Sequence, residues 1–212
     1  LESIWSPTHA LRFNASLGYL DTEISSGTSI DTFNRTQSDP TLIVVKSSAA
    51  SNCVVKVSDA AFALSVSNAT NNPFALLGIC TPASTAGTGT NLSTIGAPAI
   101  GTNAFGGLVS DGVAVNLKGK ELPNAPHWTV SVGAQYTYDF GNGWDAVARA
   151  DYYHQSETFA RIYNSAADRL ASWQNVNLTL TVTNPAKGWV LEGFVKNATD
   201  ETVITDTYLT DD

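Results

Sequence analysis

The sequence predicts an all-β fold, an antiparallel transmembrane β-barrel segment carrying one long loop insert, and three observations predict it. Apolar and polar residues alternate with a period of two through several stretches. Those stretches exceed the roughly five or six residues of a usual soluble strand, and aromatic side chains sit at their ends. The connections alternate between short and long, as tight turns on one side of a membrane and extended loops on the other require.

Taken in chain order, the first run sets Leu11, Phe13, Ala15, Leu17 and Tyr19 against Arg12, Asn14, Ser16 and Gly18. The second sets Trp128, Val130, Val132, Ala134, Tyr136, Tyr138 and Phe140 against Thr129, Ser131, Gly133, Gln135, Thr137 and Asp139. A third places Trp144, Ala146, Ala148, Ala150 and Tyr152 opposite Asp145, Val147, Arg149, Asp151 and Tyr153. A fourth alternates Val176, Leu178, Leu180 and Val182 with Asn and Thr, and a fifth, less regular run begins at Trp189. Alternation by itself also suits a soluble sandwich. Run length decides: ten residues at about 3.3 Å each, tilted by ~40°, rise about 25 Å, the height of the apolar band of an outer-membrane barrel. Trp128, Tyr136, Tyr138, Trp144, Tyr152 and Trp189 are the expected aromatic girdle.

Short turns fall at Ser6 to Ala10, Gly141 to Gly143 and Asn184 to Gly188, and long segments at Ser25 to Pro126 and Ser156 to Ser172. Residues 1–24 are therefore expected to form a barrel hairpin, 25–126 a long insert on the opposite side from the turns, and 127–212 further barrel strands. Ser, Thr, Ala, Asn and Gly dominate the insert, and Thr85 to Gly107 is close to low complexity. Leu42 to Val45, Val54 to Val57 and Phe62 to Val66 are its expected strands. Cys53 and Cys80 lie inside it; a disulfide suits an extracellular setting, two unrelated thiols being the alternative.

Composition excludes several functions. With 19 acidic and 11 basic side chains in 212 residues, a net charge of -8 argues against nucleic acid as a partner. No stretch approaches the ~20 apolar residues of a membrane-spanning helix. The chain lacks Met and a signal-peptide pattern at its start, and reads as a piece of something longer. Two cysteines and the scattered His9, His127 and His154 supply no metal-ligand spacing, and no cofactor is indicated. Asp139 and Asp145 flank a turn, and no G-x-S-x-G elbow exists, so the chain is not expected to be an enzyme.

Three motifs carry a family resemblance. Leu122-Pro123-Asn124-Ala125-Pro126-His127-Trp128-Thr129 resembles the start of a late strand in TonB-dependent outer-membrane receptors. Trp5 and Pro7, with Leu11 to Glu23, are similar to the preceding hairpin, and Val195-Lys196-Asn197-Ala198-Thr199-Asp200-Glu201 resembles a motif near the family's C-terminus, with Ala198 where Leu is usual. The resemblance implies a segment of a 22-strand barrel lacking its final strand, with about six strands and the start of another. It implies import of a scarce nutrient, such as an iron siderophore, a corrinoid or a glycan. The implied partners are outer-membrane lipid, the nutrient, the plug with the remaining strands, and the TonB energy-coupling protein; the insert would be extracellular. A secreted all-β adhesion or fibre-forming domain is the competing reading.

Arg149, Asp151 and Tyr153 share the polar face of one run, and Arg161 and Tyr163 lie on the following loop. Arg suits carboxylate or phosphate groups and Tyr suits stacking, which makes these five the candidate ligand contacts. The alternative for Arg149 and Asp151 is a polar network within the barrel wall.

Overall fold

The computed structural model describes residues 1–48 and 51–207. In chain order the strands are β1 (Glu2–Trp5), β2 (Leu11–Tyr19), β3 (Thr28–Ile30), β4 (Leu42–Ser48) and β5 (Ser51–Lys56); helix α1 (Val57–Ala69) follows. Then come β6 (Pro82–Ser84), β7 (Ala99–Asn103), β8 (Leu108–Ser110), β9 (Ala114–Asn116), β10 (Trp128–Asp139), β11 (Asp145–Gln155), β12 (Thr158–Phe159), β13 (Arg169–Leu170), β14 (Trp173–Asn184) and β15 (Trp189–Val195). No helix among the described residues is long and apolar enough to cross a membrane. The described residues divide into two compact units, one of residues 1–24 and 119–207, the other of residues 25–118.

In the first unit six antiparallel strands pair in the order β1-β2-β10-β11-β14-β15, and the sheet does not close on itself. The five alternating runs become β2, β10, β11, β14 and β15, and Glu2–Trp5 adds the sixth strand. Register conserves the parity across strands: Ala15, Val132, Tyr152 and Val176 share one row, and Ser16, Ser131, Tyr153 and Asn175 the next. One face is thus mainly apolar, with His154 and Gln174 near the end where the long connections leave, and the other mainly polar, with Val147, Val190 and Phe194 as its exceptions. The turns joining β1 to β2, β10 to β11 and β14 to β15 lie at one end of the strands, and both long connections leave from the other. After β15 the chain makes no further strand among the described residues; residues 208–212, which the reading of a missing last strand includes, lie outside them. Asn197, at φ 51°, instead turns the chain, accepting from Glu201 N–H and donating to its carbonyl, both at 3.0 Å.

The second unit is a small domain of its own. A five-stranded sheet, β4-β5-β8-β7-β6, buries both faces. Leu42, Val54, Leu92, Ala97, Ala99 and Val113 form one cluster; Cys53, Val55, Ala63, Ile79, Cys80 and Val109 form the other. Consecutive burial of Cys53, Val54 and Val55 follows from this covering on both sides. The Cys53–Cys80 disulfide is formed, with Cα atoms 5.3 Å apart. The near-low-complexity stretch is folded: Leu92 and Ala97 are buried, and Asn103 Oδ1 accepts from the Phe105 and Gly107 amides at 3.0 Å each.

One expected strand is corrected. Phe62 to Val66 lies inside α1, where Ala60, Ala61 and Ala63 supply good helix formers around the apolar run. A five-residue apolar run does not distinguish strand from helix by itself. The ends of this unit meet: β3 pairs with β9, and Leu117 N–H donates to Gly27 O at 2.9 Å. The flanking residues of the first unit meet likewise, Ile24 N–H donating to Lys120 O at 2.8 Å and Gly119 N–H to Ile24 O at 3.0 Å.

Candidate functional site

Three of the five candidate side chains stand on the polar face of β11. Arg149 grips Asp151 with both ends of its fork, Nε to Oδ2 at 2.8 Å and Nη2 to Oδ1 at 2.5 Å. Nη2 also donates to Asn14 Oδ1 at 3.1 Å, two strands away on β2. Gly133 makes this reach possible. It lies between Asn14 and Asp151 in the register, and a Cβ built there would stand 2.5 Å from Asn14 Oδ1 and 2.7 Å from Arg149 Nη2. The glycine leaves a slot for the guanidinium, as mid-strand glycines do where another group must come close. Sequence reasoning paired Arg149 with no particular neighbour; the lone glycine in an otherwise unbroken strand was the available signal.

Tyr153 occupies the next row toward the long connections. Its ring lies 4.9 Å from that of Trp173, at 44°, and its hydroxyl donates to Gln155 Oε1 at 3.2 Å. Trp173, paired with Gln155 on the polar face, was not among the sequence candidates because it opens its strand one residue after an expected loop. Asn175 lies beside these rings in the register, and its Oδ1 is buried without a partner among the described residues. Together Tyr153 and Trp173 form an aromatic ledge able to hold a ring-shaped group by stacking, with the buried Asn175 Oδ1 beside it.

Arg161 and Tyr163 form a separate cluster on the connection between β11 and β14. Arg161 Nε donates to Asp168 Oδ1 at 2.5 Å, and its guanidinium sits 5.2 Å from the centre of the Tyr163 ring. Asp168 is fully buried. Burial raises its pKa, but the hydroxyl and amide of Ser165, which donate to Oδ2 at 2.7 and 3.0 Å, and the Arg161 cation together hold it below the ordinary 3.8. Asn164, at φ 46°, reads the Glu121 backbone from both sides, accepting from N–H at 2.6 Å and donating to O at 3.2 Å. Lys120 Nζ donates to Tyr163 O at 2.7 Å. This loop is therefore ordered by its own polar contacts.

On the apolar face, aromatics gather near both ends. Trp128 packs on Tyr19 at 4.6 Å where the long connections leave, and Tyr152, in the row of Val132, donates from its hydroxyl to Gln174 Oε1 at 3.1 Å. Toward the turns stand Tyr136, Tyr138 with Phe140 at 4.9 Å, Trp144 under the Lys187 ammonium at 5.9 Å, and Trp189. No group of three or more metal-ligating side chains occurs among the described residues.

The family described as TonB dependent receptor-like, beta-barrel matches residues 55–198, well over half of the chain. No curated protein and no solved structure matches it. The chain thus belongs to the TonB-dependent receptor β-barrel family, whose members are outer-membrane transport receptors rather than enzymes and act with a ligand, a plug and the TonB protein.

Proposed function

We propose that the polar face of the six-stranded sheet lines the passage of a receptor importing a scarce nutrient, an iron siderophore, a corrinoid or a glycan. The observation that carries this is the Tyr153–Trp173 ledge with the unpartnered Asn175 Oδ1, near the end of the strands from which the long connections leave. Corrinoids, glycans and those siderophores that carry rings offer faces that stack on such a ledge. Arg149 and Asp151 serve as wall residues facing the same passage, and Arg161 with Tyr163 shapes the loop above it. The apolar face meets lipid, and residues 25–118 stand outside the cell, on the side opposite the short turns.

Growth and labelled-nutrient uptake test the reading, with each nutrient class supplied in turn as the limiting source. Trp173→Ala is expected to lower uptake of one class at least about tenfold while surface levels of the receptor stay unchanged. Uptake equal to wild type for every class would remove the ledge from the passage. Protease added to intact cells is expected to cut within residues 25–118 and spare the turn at Gly141 to Gly143; the reverse pattern inverts the orientation.

A further inference from the structure

A second polar site lies near the same end of the sheet and shares no residue with the ledge. A cavity of about 200 Å³ opens between the segment preceding β10, which contributes Glu121 and His127, and the start of the β12–β13 hairpin, which contributes Glu157, Thr158 and Phe159. Arg169 also lines it, but its Nε and Nη2 both donate to Glu157 Oε2. Two carboxylates against one committed guanidinium leave an uncompensated negative charge. Thr158 is 3% exposed, and its Oγ1 has no hydrogen-bond partner among the described residues. His127 Nε2 is 3.4 Å from Glu121 Oε1, yet it too is buried without a hydrogen bond of acceptable geometry. Buried polar atoms in folded proteins are nearly always bonded, so orphans bordering an open cavity point to a ligand that supplies their partners.

We propose that this cavity binds a primary ammonium group carried by a small cation. An ammonium has three diverging N–H donors and no acceptor, which matches a site whose unspent groups are the Glu121 carboxylate and the Thr158 hydroxyl, beside a Glu157 already paired with Arg169. An anion meets two carboxylates with the one guanidinium already taken, and a neutral polyol leaves the charge uncompensated. The assignment goes beyond the import reading and is measured by binding alone, so it stands or falls separately from uptake.

Titration calorimetry on the detergent-solubilised protein tests it, with n-butylammonium chloride as the probe and n-butanol and glucose as neutral controls. Saturable millimolar binding of butylammonium alone is the expected result. Glu121→Gln is expected to weaken it by about tenfold or more and Thr158→Val by severalfold, at unchanged melting temperature. No saturable binding of butylammonium, equal affinity in Glu121→Gln and wild type, or glucose binding in its place overturns the proposal. If Glu121→Gln fails to fold, the exposed Glu157 provides the second variant: Glu157→Gln removes the same charge, and unchanged affinity there overturns the proposal equally.

Discussion

At the scale of single residues, the polar face is organised by what is missing at Gly133. The Arg149 guanidinium crosses β10 because position 133 has no Cβ, and it ties β11 to β2 without a direct backbone pairing between them. Gly133→Ala is expected to break the Arg149–Asn14 bond and cost about 1–3 kcal/mol, measured by unfolding in detergent. A stability equal to wild type would mean that the guanidinium has room elsewhere. Asp168 organises the adjoining loop in a comparable way. Its folded pKa lies below the unfolded value, so its contribution is complete above the ordinary carboxylate range and is lost as pH falls through the lower, folded value. Protection of the Ala160 and Asp168 amides from hydrogen exchange, taken relative to the intrinsic rate at each pH, should therefore stay high at pH 5 and fall under stronger acid. Asp168→Asn removes the buried carboxylate that accepts from Arg161 and Ser165 and is expected to cost about 3 kcal/mol of loop stability at neutral pH.

At the scale of elements, parity governs each strand. Spin labels at Val132 and Ser131 in liposomes are expected to differ, the first accessible to oxygen and the second to water-soluble quenchers; the opposite pattern would turn the sheet inside out. The strands were legible in the sequence because one apolar face and one polar face impress a period of two on any strand between unlike media, and Trp128 to Asp139 carries it almost without a break. The insert carries no such imprint. Its sheet is covered on both faces, so Cys53, Val54 and Val55 are all buried in succession, and α1 has apolar residues all round, Phe62 and Leu64 among its exposed ones. Neither state gives a period to read. The site was legible to the same extent: parity put Arg149, Asp151 and Tyr153 on one face, while the partnership with Asn14 depends on a register fixed across more than a hundred residues.

At the scale of the whole molecule, two units of different construction share one chain, and each reports separately. All five tryptophans lie outside residues 25–118, so their fluorescence follows the sheet, whereas α1, the α-helix among the described residues, contributes to ellipticity at about 222 nm. Replacing Cys53 and Cys80 by Ser is expected to remove about 3–4 kcal/mol from the insert, given the 27-residue separation of the bridge. The helical transition should shift to lower denaturant with the fluorescence transition in place; a joint shift would show the two units to be one cooperative body. The clasped ends of the insert bear, finally, on the order of assembly. β2 and β10 must find each other across more than a hundred residues, a slow and entropically costly search for an open chain. Once β3 has paired with β9 and Ile24 has met Gly119 and Lys120, that search is reduced to the closure of a loop of a few residues, about 2 kcal/mol cheaper in entropy. If the clasp forms first, it lowers the entropic cost of pairing β2 with β10, and a variant with a loosened clasp is expected to reach the same final sheet more slowly in a refolding time course.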